Sequence, residues 1–345
     1  MNTKYINTYL IVLLSILIFY KSAFADGNIM LSNKPLEHAP IGVKGDHVHK
    51  QNEWMLSLRY GQMYMGDNYN NTEQVGTGDI LSDGYMAAPE NMTTYMVMGG
   101  LMYGVTDYLT LMVMTGYLYK DMLMTTSTQS FSMTSQGLSD TSVTGMIQFW
   151  ESNDSKTHIS QNAHFNVGVS IPTGSINQTG DMPMGNDMLL GYPMQLGSGT
   201  FDPILALTYN LRVDTWAFGS QFNTILRLYD NYKNYHFGNE YLLSVWAGKN
   251  FSKNLGVSLR AQGKVWERIS GSASGLNPNM SPLNNPDVSG GERIDLLLAI
   301  NYIQLDGILA NNRLALEFGV PVYQRLNGPQ LGLSYMLSLG WQWSF

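Results

Sequence analysis

From Leu331 to Phe345 the chain alternates without an error for fifteen residues. Leu331, Leu333, Tyr335, Leu337, Leu339, Trp341, Trp343 and Phe345 take the odd positions, and Gly, Ser, Met or Gln takes each even one. A period of two places the first set on one face of a strand and the second set on the other. Strands of soluble proteins run about 5–6 residues. A strand this long, wholly apolar on one face, fits a face covered by lipid, with Trp341, Trp343 and Phe345 in an interfacial aromatic girdle.

The same alternation recurs upstream. Strands are expected at 54–65, 92–105, 108–120, 138–150, 158–171, 200–212, 214–229, 237–251, 254–269, 291–306, 313–325 and 331–345, twelve in all. Short joins such as "TDY" and "SKN" mostly alternate with longer segments rich in Gly, Asn, Ser, Asp and Thr, notably 66–91, 121–137, 172–199 and 270–290. Short turns at one end and long loops at the other describe an antiparallel up-and-down β-barrel of the outer membrane. Closure satisfies every backbone group that lipid would otherwise strand. The fold class expected is therefore all-β, a transmembrane barrel of about 12 strands.

The beginning of the chain agrees. Lys4, the apolar run from Leu10 to Phe19 and the small-residue site Ala23-Phe24-Ala25 read as a signal peptide over residues 1–25. Residues 26–53 then form a periplasmic N-terminal segment and 54–345 the barrel. With no cysteine there is no disulfide, thiolate metal site or thiol nucleophile. The net charge of −7 becomes more negative once Lys4 and Lys21 are removed, which disfavours nucleic acid as a partner.

Parity assigns an interior. Met63, Met96, Met98, Met102, Met112 and Met114 face inward on the early strands, and Arg260, Lys264, Arg293 and Asp295 on the late ones. The methionines admit three readings. Thioethers at i and i+2 chelate a soft ion such as copper(I) or silver(I), flexible sulfurs line a path for apolar or aromatic solutes, or Met simply fills the interior. The charges either steer anions or pair with carboxylates such as Glu240 and Glu317. In "HAPIGVKGDHVHK", His38, Asp46, His47 and His49 are candidate ligands for a metal ion, copper included, beside the plainer reading of a solvated plug or tether at the barrel mouth. No other cofactor is expected.

"HISQNAH" places His158, Ser160 and Asn162 two apart, all inward by parity, but it has no nucleophile elbow, so no enzymatic role is expected. "HAPIGVKGDHVHKQNEWMLSLRY", "GLSD", "VGVSIPTGS" and "QLGSGTFDPILALTY" resemble a family of Gram-negative outer-membrane proteins named for the meta-pathway of phenol degradation, whose members are labelled transporters. The resemblance implies a barrel in the cell outer membrane and passage of small aromatic compounds, and it supplies no catalytic residues. The expected function is a passive channel for small, partly apolar solutes. Soft-metal binding and a structural or surface-interaction barrel are the alternatives. The expected partners are outer-membrane lipid, a small-molecule solute and the barrel assembly machinery reading the strand that ends on Phe345.

Overall fold

The structure, a computed structural model, describes residues 34–154 and 156–345. The signal peptide expected at 1–25 lies outside the described residues. Eleven strand segments close a ring in chain order: β1 (Trp54–Asn71), β2 (Ala88–Thr106), β3 (Leu109–Thr125), β4 (Thr141–Asp154), β5 (Ile159–Ile171), β6 (Asp202–Val213), β7 (Trp216–Ile225), β8 (Glu240–Asn250), β9 (Leu255–Trp266), β10 (Gly291–Ile303) and β11 (Asn312–Ser344). Each pairs antiparallel with the next, and β11 pairs back onto β1. β11 makes two passes. Its residues 313–326 run against β10 and 326–344 run against β1, so both of its ends lie at the same end of the barrel. The wall is thus crossed twelve times.

The alternation written in the sequence is the alternation of the wall. Across β9, β10 and β11, Leu259, Leu298 and Phe318 stand side by side facing outward. Phe165, Leu207 and Phe222 do the same across β5, β6 and β7. An apolar belt on the outside of a closed cylinder requires hydrocarbon around it. Trp54 packs on Tyr103 and Trp343 on Phe345, with ring centroids 4.4 and 4.5 Å apart, and Trp216 and Tyr302 lie at the same short-turn end. These form the lower aromatic girdle.

Three details depart from the sequence reading. β7 stops at Ile225, where the expected strand ran to 229, and Tyr229 turns its hydroxyl to accept the Phe201 N–H. Residues 130–137, expected within the loop 121–137, run with Leu138 as a strand paired with 117–125 of β3 and lengthen the wall there. His158 sits exposed in the β4–β5 turn at φ 53° instead of facing the lumen.

Candidate functional site: a plugged lumen

Residues 34–53, from the segment expected on the periplasmic side as a solvated plug or tether at the barrel mouth, lie inside the wall. The segment enters at the short-turn end, where Arg313 and Arg212 donate to the carbonyls of Pro35 and Glu37, and the Leu36 N–H donates to Asn250. It climbs to a tip at Lys44 and Gly45. There Gln221 donates to the Lys44 carbonyl at 2.9 Å and Asn166 to the Gly45 carbonyl at 2.8 Å, with His164 Nε2 3.0 Å from the same oxygen. It then descends, held by Asn210 on the Asp46 carbonyl and by Thr110, which accepts the His49 N–H, before β1 begins. Gly45 adopts φ +58°, the left-handed conformation that reverses the chain at little cost only for glycine.

The wall is cut to fit this plug. A Cβ on Gly248 or Gly256 would lie 2.7 or 2.6 Å from the Leu36 side chain, so two inward glycines of β8 and β9 make the notch that Leu36 fills. Trp246 packs on Ala39 and Val43. On the opposite side Val48 rests against a cluster of Met55, Met102, Met112, Met114 and Met146. Met55, Met102 and Met112 are register partners on β1, β2 and β3, forming one rung. A second rung, Met65, Met92, Met122 and Met133, crosses the wall higher up. There it packs with Leu190, Met194 and Leu283 from the long loops, which fold into the mouth. Lys120 fastens that closure by donating to the carbonyls of Pro193 and Gln195.

The inward charges are paired. Arg260 grips Glu317 through Nε and Nη2 at 2.8 and 2.9 Å, with both side chains buried, and the Gly42 N–H donates to the same carboxylate at 2.9 Å. Lys264 meets Glu240 at 2.6 Å, Arg293 meets Asp295 at 2.7 Å, and Arg227 meets Asp202. A charge in a confined lumen needs such a partner.

Two cavities among the described residues bear on the lumen. One of about 360 Å³ lies above the plug tip, bounded by Lys44, Met96, Met98, Met114, Arg227 and Glu240. The other, about 210 Å³, lies in the mouth among Met65, Met92, Met122, Trp266, Leu283 and Leu333. Of the expected lumen residues, Met96, Met98, Met114 and Arg293 therefore border open space. Met102 and Met112 pack under the plug, and Met63 faces Met336 across the β1–β11 seam. Arg260, Lys264, Arg293 and Asp295 are committed to ion pairs.

The expected metal ligands come together within the plug. One ligand atom each from His38, Asp46 and His47 lies within 4.8 Å of the others. His47 Nε2 is 3.1 Å from His49 Nε2, and His49 Nδ1 is 3.2 Å from Glu53. Burial, with the Arg313 guanidinium beside it, pulls His38 well below the usual imidazole range, and burial also lowers His49. Burial alone would raise Asp46, but His47, the Ala39 amide and Arg59 hold its carboxyl well below the usual range. The catalytic grouping does not assemble as such a triad would, because Ser160 donates to Asn153 and Asn162 accepts from Asn210.

Sequence reasoning missed the mouth pocket and the seat of the plug. The signal was present in the apolar residues Leu189, Leu190, Tyr192 and Met194 within a segment otherwise composed as a loop, and in glycines at inward strand positions.

Comparison with known proteins places this geometry. A model of the family described as "Putative MetA-pathway of phenol degradation" matches residues 66–275, more than half of the chain. No curated protein sequence matches. The crystal structure of the COG4313 outer membrane channel from Pseudomonas putida F1 is similar at a TM-score of 0.57 and 14% identity, over 87% of this chain and 98% of that one. The NanC porin has a TM-score of 0.41 at 7% identity, covering 84% and 98% of the two chains. A FadL homologue of Pseudomonas aeruginosa has 0.36 at 9%, covering 85% and 90%. The likeness to the Pseudomonas putida channel is one of fold. With its closed wall and apolar belt, the chain belongs to the phenol-degradation MetA-pathway family as an outer-membrane β-barrel.

Proposed function

We propose that the barrel admits small solutes that are partly apolar, with a single aromatic ring as the typical size. The observation that carries this reading is the 210 Å³ pocket in the mouth, walled mainly by methionine, leucine and tryptophan, with Arg293, Gln324 and Gln330 supplying polar groups. An apolar cavity of about 150 Å³ suffices to bind benzene, so the pocket has room for a ring with one substituent. Methionine suits such a wall, since its thioether is polarizable and its three torsions adapt to different shapes. Below it, the larger chamber presents Lys44 and Arg227, which offer donors to a hydroxyl or carboxylate on the same solute. The family's description by phenol degradation supports the same solute class, and the likeness to an outer membrane channel supports the barrel fold that would pass it. In this reading a solute rests in the mouth, moves to the chamber, and leaves when the plug shifts.

The test uses the full chain in liposomes, with benzenesulfonate as the probe because its permanent charge keeps it from crossing lipid unaided. Benzenesulfonate is expected to enter faster than an uncharged sugar of similar mass, and to quench Trp266 saturably. Equal entry of the two probes, with no saturable quenching, rejects the reading. The same reading keeps lipid and the assembly machinery as partners. Replacing Phe345 with Ala is expected to lower the folded fraction in cells, and an unchanged folded fraction rejects that part.

A further inference from the structure

We propose that His38, Asp46 and His47 form a site for one divalent transition-metal ion, zinc(II) or copper(II), that joins the two limbs of the plug. His38 lies on the climbing limb, and Asp46 and His47 lie on the descending limb just beyond the Gly45 reversal. Their ligand atoms converge to within 4.8 Å. Bonds of about 2.0–2.2 Å from zinc to nitrogen and oxygen place donors a little over 3 Å apart, so modest side-chain rotation closes the set.

A second observation points to a ligand independently of that spacing. Nδ1 of His38 and Nδ1 of His47 are both buried without a hydrogen-bond partner. Buried polar atoms are ordinarily satisfied, and a metal ion satisfies imidazole nitrogens left without an aligned hydrogen bond. His47 Nδ1 stands 3.1 Å from Asp46 Oδ1, yet outside hydrogen-bonding alignment. Two lone-pair donors at that distance suit a shared ion better than each other.

The surroundings orient these donors as metal ligands are usually oriented. Asp46 Oδ2 accepts the Ala39 N–H at 2.8 Å, which fixes the carboxylate against the first limb. His47 Nε2 meets His49 Nε2 at 3.1 Å, and His49 Nδ1 meets Glu53 at 3.2 Å. A carboxylate behind a histidine holds ring orientation and raises ligand basicity. Two imidazoles and one carboxylate suit a borderline ion such as zinc(II) or copper(II), and three protein ligands leave a position for water. Thioethers suit copper(I), but the nearest methionines are packed on Val48.

Three guanidiniums oppose the site's charge. Arg59, Arg212 and Arg313 all donate to plug carbonyls nearby. Their field weakens cation binding, so affinity is expected in the micromolar range. The site stands whether or not the barrel conducts aromatic solutes.

The experiment uses the full chain in detergent, carrying no polyhistidine tag and stripped with chelator. Zinc is titrated against a chromophoric competitor, both with folded protein and with zinc present during refolding, because the site is enclosed. Copper(II) spectra report nitrogen coordination. The variants are His38→Gln and His47→Gln, with His236→Gln in the outer loops as the control, and heat-modified gel mobility verifies folding. One zinc per chain is expected. Each plug variant is expected to bind at least about tenfold more weakly, as loss of a metal ligand or its support requires, while the control binds as the parent does. Absence of stoichiometric zinc under both loading conditions overturns the proposal. So does parental affinity in both plug variants, or a copper spectrum without nitrogen coupling.

Discussion

Replacing Arg59 with Met tests whether the plug is the seal. Arg59 projects inward from β1, is 6% exposed, and donates from one nitrogen to the carbonyls of Ile41 at 2.7 Å and Val43 at 3.3 Å. Those carbonyls flank the turn closed by the Val43 N–H on the Pro40 carbonyl, so Arg59 holds the climbing limb at its bend. Methionine keeps the stem volume and removes the donors. A hydrogen bond from a charged group contributes about 1.5–3 kcal/mol net and an ordinary one about 0.5–1.5. The short bond counts as the first and the long one as the second, which gives about 2–4.5 kcal/mol. At about 1.4 kcal/mol per decade, the ratio of displaced to seated plug rises roughly 30- to 1,600-fold. The wall keeps its ladder, because the backbone at Arg59 pairs with Met98 on one side and Gly340 on the other. In planar bilayers the variant is expected to open more often by that factor, with gel mobility unchanged. A variant lacking residues 34–50 fixes the fully open conductance. If that deletion conducts and Arg59→Met opens no more often than the parent, Arg59 does not hold the plug shut. If the deletion does not conduct, the plug is not the seal.

Glu317→Gln leaves the Arg260 guanidinium buried without its carboxylate, and breaking a buried pair from one side costs about 3–5 kcal/mol. Urea unfolding from lipid vesicles measures this, and replacing both residues with Met and Leu is expected to recover most of the loss. Leu298 is 55% exposed on the lipid face of β10, so Leu298→Arg is expected to cost about 2–4 kcal/mol by the same assay if it lies near the bilayer midplane; an unchanged midpoint would mean that this face is not in hydrocarbon. Tyr192 is buried and its hydroxyl accepts the Ala273 N–H at 3.0 Å. Tyr192→Phe orphans that amide at a cost of about 1–3 kcal/mol, seen as faster hydrogen exchange at Ala273 with the wall unaffected.

The wall was legible because two solvents enforce it. Lipid on one side and a narrow lumen on the other act on every second residue, and the outward face carries that signature through Ile294, Leu296, Leu298 and Ile300 without interruption. Ser130–Leu138 lacks that signature because its exposed face carries Ser130, Ser132, Thr134 and Gln136, which read as loop. Parity also placed the methionines inside, but parity says nothing of what they touch. Whether Met112 borders a path or a plug depends on Val48, more than sixty residues away in sequence. The plug has no periodicity of its own. Its mark on the sequence is indirect, in Gly248, Gly256 and Gly340, whose missing side chains leave room for Leu36 and Ile41. The proposed metal ligands His38, Asp46 and His47 were legible as residue types, but their convergence depends on the reversal at Gly45.

The two flanks hold the plug by different physics, and that difference sets how it moves. On the β5–β8 side hydrogen bonds run from Asn166, Asn210, Arg212 and Gln221 to plug carbonyls and from the Leu36 N–H to Asn250, beside the packing of Trp246 on Ala39 and Val43. Such bonds lose strength steeply with angle and distance, so a shift of an ångström or two on that side breaks several at once. On the β1–β4 side Arg59 and Thr110 also hydrogen-bond the plug, at Ile41, Val43 and His49, but Val48 there meets flexible methionines. Dispersion contacts with an unbranched side chain re-form in a new arrangement at small cost. The cheapest displacement therefore tilts the tip away from β5–β8 while the Val48 limb slides along the methionine rung. That motion opens space beside the polar wall first. A solute held in the chamber above, between Met96 and Arg227, then meets a gap lined by amides on one side and thioethers on the other. A metal ion bridging His38 to Asp46 and His47 opposes the same motion, because tilting the tip draws the two limbs apart. Zinc is accordingly expected to lower the opening frequency of the parent barrel and to leave that of His38→Gln unchanged.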